Sequence, residues 1–170
     1  LVTKTDPDKR HDGITLFLVD LRDDDGNLVP GFTVSRELEK MGMHASDTGE
    51  IAFEDMRVPA DAVLGEIGKG FYHISWELQG ERLVAAAGSH AGAERLLETT
   101  IEYALDRQAF GRPIGGYQAI KHKLADMYVK NEIARSNAYY GAWALSTNAP
   151  ELPEAAAAAR IAASEAYWFA

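Results

Sequence analysis

Near Gly65-Glu66-Ile67-Gly68-Lys69-Gly70 the chain changes its hydrophobic period, and this switch constrains the fold more than any other feature. Upstream, short apolar runs alternate with polar residues in the manner of strands. Downstream, apolar residues recur at helical spacing almost to Ala170. Three glycines within so short a stretch punctuate the change. The chain therefore divides into a β part, residues 1–66, and a helical part, residues 67–170. Strands joined by loops, without intervening helices, imply an antiparallel or barrel-like sheet. The class is α+β: antiparallel β followed by most of an up-down helical bundle.

In the β part, Gly13-Ile14-Thr15-Leu16-Phe17-Leu18-Val19-Asp20 predicts a strand, being apolar, β-branched and aromatic between polar flanks. Arg22-Asp23-Asp24-Asp25-Gly26-Asn27 predicts a turn. Its aspartates miss the order of a calcium loop and no glutamate closes it, so a solvated turn is the reading. Gly31-Phe32-Thr33-Val34 predicts a second strand, and Glu50 to Pro59 a third that Pro59 stops. The segment Met41 to Gly49 between them is irregular. His11 and His44 stand singly in loops, with no partner at metal-ligand spacing.

In the helical part, Gly70 to about Arg107 predicts one continuous helix, roughly 55 Å long. Gly111-Arg112-Pro113-Ile114-Gly115-Gly116 breaks it. A second helix is expected from about Gln118 to Leu145, with Ile120, Leu124, Met127, Tyr128 and Ile133 on its buried side. Pro153 suits the first turn of a third helix, Glu154 to Ala170. Long helices joined by short loops pack as antiparallel neighbours.

Composition narrows the function. A net charge of −9 argues against nucleic acid and anionic membrane surfaces, which require basic patches. Without cysteine there is neither a disulfide framework nor a thiolate metal site, which fits a reducing compartment. Apolar runs are short and broken by charge, so neither a signal peptide nor a membrane span is expected. The expected location is the cytoplasm, or the mitochondrial matrix in a eukaryote. The chain starts at Leu1 in what looks like a strand under way, and a piece of a longer protein is the expectation.

The first long helix carries the candidate chemistry. Glu81, Ala85, Gly88 and Gly92 recur at helical spacing, so one stripe has little bulk beyond Glu81. Another helix or a flat ligand could approach such a stripe to backbone distance. A carboxylate at the rim of a dry groove is raised in pKa by desolvation, as a general base needs. A solvated helix glutamate beside helix-packing glycines explains the same residues.

Three stretches, in order and over nearly the whole chain, resemble the acyl-CoA dehydrogenase family. The first is Asp47-Thr48-Gly49-Glu50-Ile51-Ala52-Phe53-Glu54-Asp55-Met56-Arg57-Val58-Pro59. The second is Gly68-Lys69-Gly70-Phe71 with the helix that follows, and the third is Arg107-Gln108-Ala109-Phe110-Gly111-Arg112-Pro113-Ile114 with Gln118. The resemblance implies the second half of the family's middle β domain and about three helices of its C-terminal four-helix domain. It implies that an N-terminal helical domain, the early β strands and the closing helix are missing, and that the chain alone is inactive.

The implied activity is FAD-dependent conversion of an acyl-CoA thioester to its 2-enoyl form, as in fatty acid β-oxidation. A glutamate takes the α-proton while the β-hydrogen leaves as hydride to flavin. In most members that base lies on a C-terminal loop, but isovaleryl- and long-chain-type members carry it on this helix, in a Leu-x-x-Glu-Arg setting. Leu78-Gln79-Gly80-Glu81-Arg82 matches, making Glu81 the implied base. Tyr72, Gln79, Gly80 and Arg82 match positions at the acyl-CoA site. Arg107, Phe110 and Gln118 match residues that reach the FAD of a neighbouring subunit. That role implies a homotetramer, with electron-transfer flavoprotein as the expected acceptor. Without the resemblance, Arg107 is a cation at a helix C-terminus, Tyr72 a core aromatic and Arg82 a surface arginine. Glu77, one turn before Glu81 on the same side, sets a like charge beside it. Three rival readings remain: a non-catalytic partner subunit of the same fold, which Glu81 opposes; an acyl-CoA oxidase; and a non-enzymatic helical interaction module.

Overall fold

Two antiparallel sheets build the first unit, Leu1–His73, of the computed structural model, which describes residues 1–170. One sheet has the order β1 (Val2–Lys4), β2 (Ile14–Phe17), β5 (Val63–Leu64), with Thr3 opposite Thr15 and Phe17 opposite Val63. The other pairs β3 (Phe32–Glu37) with β4 (Gly49–Phe53), its register slipping between Val34 and Arg36. Strands are shorter than the alternation predicts. The segment expected to be extended to Pro59 ends at Phe53, where Asp55 takes a φ of 50° and turns the chain. The acidic turn is a turn: Asp23 Oδ1 accepts the N–H groups of Asp25 and Asn27, at 3.0 and 2.8 Å.

Thr15 is the polar centre of this unit. It is fully buried on β2, its Oγ1 lies 2.7 Å from that of Thr5, and it accepts the Gly68 N–H at 2.9 Å. The glycine punctuation has a steric cause here. Gly68 sits at a φ of 80°, where a Cβ would fall 2.5 Å from the Asp12 carbonyl oxygen. A Cβ on Gly70 would meet the Ile14 oxygen and Leu16 nitrogen at 3.0 Å, so the chain passes β2 backbone to backbone. Helix α1 (Gly70–Asp106) starts at this crossing. Its first turn belongs to the first unit: Phe71 stacks on His11 at 4.1 Å and Tyr72 donates to Asp12 Oδ1 at 3.2 Å. His11 is thus a packing residue.

The second unit, Ile74–Ala170, holds the rest of α1, a small hairpin of β6 (Gln108–Ala109) and β7 (Arg112–Pro113), α2 (Gln118–Ser146) and α3 (Leu152–Phe169). No helix is long and apolar enough to cross a membrane. Contacts fix the helix directions. Leu83 of α1 meets Gly141 of α2, His90 meets Asn131, and Ala104 meets Gly115 just ahead of α2, so these helices run antiparallel. Gly141 also lies against Ala155 and Ala159, and Lys130 lies over the Phe169 ring, so α3 returns antiparallel to α2.

Where they meet, the core is almost entirely alanine: Ala86, Ala134, Ala144, Ala155, Ala156, Ala159, Ala163 and Ala166, with Leu83 and Leu152. This corrects the expected buried side of α2. Met127 is buried, but Tyr128 and Ile133 are 56% and 53% exposed. The buried stripe instead runs through Asn131, Ala134, Ala138, Gly141 and Ala144. An alanine-rich partner brings backbones together, and only small residues fit such a seam.

Replacing Thr15 with valine keeps the shape but leaves the Gly68 N–H without its acceptor and the Thr5 hydroxyl with only the Gly13 carbonyl, at 3.4 Å. The variant is expected to lose about 1–3 kcal/mol in urea unfolding. Thr33→Val on the exposed face of β3 should stay within roughly 0.5 kcal/mol of the parent. Equal effects at the two positions would refute the role given to the buried hydroxyl.

Candidate functional site

Helix geometry decides where Glu81 points. The buried stripe of α1 runs through Leu83, Ala86, Ala93, Leu97 and Ala104. At about 100° per residue, Glu81 lies roughly 140° around the helix from the centre of that stripe. Glu77, Glu81, Ala85 and Gly88 therefore share a face turned away from α2 and α3. A Cβ added to Gly80 or Gly88 would meet nothing within 4 Å. Only Gly92 on this stripe is used in packing: a Cβ there would come 2.7 Å from the Tyr167 ring. The dry groove expected around Glu81 is not formed within this unit, where Glu81 is exposed on a bare face.

Glu77 and Glu81 act on each other. Desolvation by the surrounding helix surface, then the charge of Glu81, then a hydrogen bond between the two carboxyls hold the Glu77 carboxyl above its ordinary range. Neither glutamate takes part in any of the chain's five ion pairs, and nor does Arg82. Arg82 is exposed about 100° round the helix from Glu81, so the neighbours in sequence do not face each other. Gln79 and Gly80 are half-buried in the same turn. Tyr72 belongs to the first unit, its hydroxyl on Asp12 and its ring 5.2 Å from the Lys69 ammonium.

The second cluster lies at the connection from α1 to α2. Arg107 follows the helix end, exposed, in no ion pair, its carbonyl accepting the Ile114 N–H at 2.8 Å. Phe110 and Gly111 form the two-residue tip between β6 and β7, with φ angles of 52° and 78°. Positive φ at both positions is the sign pattern of a type I′ turn. For phenylalanine that conformation costs about 1 kcal/mol or more. The ring it presents is 97% exposed. Gln118, also exposed, opens α2 beside the hairpin.

Arg107, Phe110 and Gln118 thus share one corner, far from the other cluster: Glu81 and the end of α1 at Asp106 are separated by about 37 Å of helix. A free guanidinium, a free aromatic face and a carboxamide fit the phosphate, ring and polar edge of a dinucleotide. The sequence reading missed Tyr117, whose hydroxyl donates to the Ala109 carbonyl at 2.8 Å and whose ring carries the Arg112 guanidinium at 4.1 Å. An aromatic directly before Gln118 was the available signal.

The family model described as "Acyl-CoA dehydrogenase, C-terminal domain" matches residues 68–170. A short-chain specific acyl-CoA dehydrogenase of Megasphaera elsdenii is 40% identical over 162 residues, 95% of this chain and 41% of that protein. The mitochondrial long-chain specific acyl-CoA dehydrogenase of Mus musculus is 45% identical over 115 residues, 68% of this chain and 25% of that protein. The three-dimensional structure of butyryl-CoA dehydrogenase from Megasphaera elsdenii superposes with a TM-score of 0.84 at 39% identity, covering 97% of this chain and 41% of that one. The chain thus spans about two fifths of the length of its short-chain relative.

The Glu77–Glu81 pair has a measurable consequence for stability. Because Glu77 binds its proton more tightly folded than unfolded, stability falls as pH rises from the ordinary glutamate value through the raised one. Below that window the penalty is absent. Glu77→Gln should therefore melt higher than the parent at about pH 7, and the difference should vanish near pH 3. A pH-independent difference would show that the carboxyl pair is not its source.

Proposed function

Because the chain belongs to the acyl-CoA dehydrogenase family, we propose that it supplies the base-bearing helix of an FAD-dependent acyl-CoA dehydrogenase. Members of the family are FAD-dependent flavoproteins. The observation that carries the reading is Glu81 itself. It is a carboxylate in no ion pair, on a helix face where Gly88 leaves space for a flat ligand.

In this reading an acyl-CoA thioester lies along that face and covers it. Glu81 takes the α-proton, and covering the face removes water that would otherwise weaken the base. Gln79, Gly80 and Arg82 contact the acyl-CoA from the same helix. FAD, when bound, accepts the β-hydrogen as hydride. Arg107 would pair with its phosphates, Phe110 would pack on a flat ring and Gln118 would bond a polar edge.

The length of α1 supports sharing of the cofactor between copies. About 37 Å separates Glu81 from the helix end, more than one dinucleotide bridges, so the Arg107 corner serves a flavin other than the one beside its own Glu81. A homo-oligomer, in the proposed form a homotetramer, satisfies this. Exposed Val129, Ile133, Tyr140 and Trp143 on α2 provide apolar surface for such contacts. Electron-transfer flavoprotein is the proposed acceptor.

Glu81→Gln keeps the volume but cannot accept the proton. In the full-length protein, substrate bleaching of the flavin should slow at least ~10²-fold while acyl-CoA affinity changes little. Glu77→Gln, which removes only the neighbouring charge, should leave the rate above neutral pH nearly intact. Stopped-flow reduction across pH reads both, and a Glu81→Gln variant bleaching at the parent rate would assign the base elsewhere. The 170-residue chain by itself is expected neither to hold stoichiometric FAD nor to turn over; flavin absorbance and a dye-reduction assay on it would show otherwise.

A further inference from the structure

Phe110 holds a backbone conformation that a bulky residue keeps only when its surroundings fix it. The hairpin is a weak clamp by itself, since β6 and β7 pair through only Gln108↔Pro113 and Ala109↔Arg112. The Ile114 N–H bond to the Arg107 carbonyl at 2.8 Å closes its base, and the side-chain restraint comes from one residue. The Tyr117 hydroxyl donates to the carbonyl of Ala109, the residue before the turn, at 2.8 Å. Its ring meets the Phe110 ring edge to face, at 6.5 Å between centroids and 89° between planes. The Arg112 guanidinium, from the residue after the turn, lies over the same ring at 4.1 Å. Tyr117 thus touches the strand before the turn, the tip and the strand after it. Its own N–H bonds the Ile114 carbonyl at 3.1 Å, and its carbonyl receives the N–H groups of Ile120 and Lys121 as α2 begins. It therefore ties the tip to the helix start that carries Gln118.

We propose that Tyr117 is the positioning residue of the nucleotide corner: it holds the Phe110–Gly111 turn in the one form that presents Phe110 beside Arg107 and Gln118 to FAD. The inference rests on the cofactor reading above. Most of its side chain serves the turn, and Phe110 keeps its ring free in solvent, as a surface waiting for a flat ligand requires. Relaxation of the turn to negative φ would redirect that ring and loosen the backbone from Arg107 to Ile114.

The test compares Tyr117→Phe, which removes the hydroxyl and keeps the ring, with Tyr117→Leu and Arg107→Ala in the full-length protein. Free FAD is the probe, read by quenching of its fluorescence. Tyr117→Phe should weaken FAD binding roughly 3–10-fold, the effect of one hydrogen bond, and Tyr117→Leu should weaken it further. Amide exchange at Ile114 without FAD should quicken in the same order. The rate of flavin reduction at saturating FAD should stay at the parent value in Tyr117→Phe, because the reacting groups are untouched. A Tyr117→Phe protein with parental FAD affinity would overturn the proposal, whether or not the hairpin loosens. So would a fall in reduction rate at saturating FAD, which would mark a general structural role. Arg107→Ala separates the two levels of argument. If it weakens FAD while Tyr117→Phe does not, the positioning role alone fails; if it leaves FAD binding unchanged, the cofactor reading falls and this inference with it.

Discussion

The second unit depends on the close approach of α2 and α3 across an alanine seam, which Leu83 and Ala86 of α1 join. Alanine contributes little buried area per residue, so the seam gains its stability from contact density and from the large number of positions involved. Such a seam tolerates few bulky groups. A Cβ on Gly141 would overlap Leu83, and α1 and α2 are pinned in register by the polar contact of His90 Nδ1 with Asn131 Oδ1 at 2.9 Å, with Asn131 itself buried. A polar contact on a buried asparagine in an otherwise apolar seam favours one axial alignment, because sliding the helices would take that partner from Asn131.

That alignment explains why the large side chains lie outside. Where small residues occupy the inner stripe, Tyr128, Ile133, Tyr140 and Trp143 of α2 turn outward. On α1 the same division gives one packed stripe and one bare face, and Glu81 stands on the bare one. The bare face is a consequence of the packing: once Leu83, Ala86 and Ala93 face the seam, helical geometry sends Glu77, Glu81 and Gly88 the other way.

Much of this was legible in the sequence, and the failures have a common cause. Helix starts at Gly70 and Gln118 follow from glycine and proline punctuation and from apolar spacing, which are local signals, while the third helix, expected from Glu154, begins two residues earlier at Leu152. The inner side of α2 was misread because hydrophobicity was taken to mean burial, whereas an alanine-rich partner selects for size. The strand limits were overextended because alternation continues past Phe53, although Asp55 turns the backbone. The family motifs point to Glu81 and Arg107, but no motif shows that about 37 Å of helix separates Glu81 from the helix end beside Arg107. Nor could spacing reveal that Tyr117 grips both sides of the turn, since that contact depends on the hairpin folding back toward the start of α2.

The rod is what joins these observations. An uninterrupted helix from Gly70 to Asp106 has two fixed properties, a length and a direction for every side chain. Its length keeps the carboxylate face apart from the Arg107 corner, so neither cluster can relax toward the other. Its direction at each point is set by which residues enter the alanine seam. Leu83, Ala86, Ala93, Leu97 and Ala104 therefore determine where Glu81 faces, although none of them lies on its side of the helix. Within the second unit the strained Phe110 turn is held by Tyr117; within the first, Gly70 passes β2 and Phe71 stacks on His11. The face that carries Glu77, Glu81 and Gly88 is left exposed within this unit, and Gly92 packs against Tyr167.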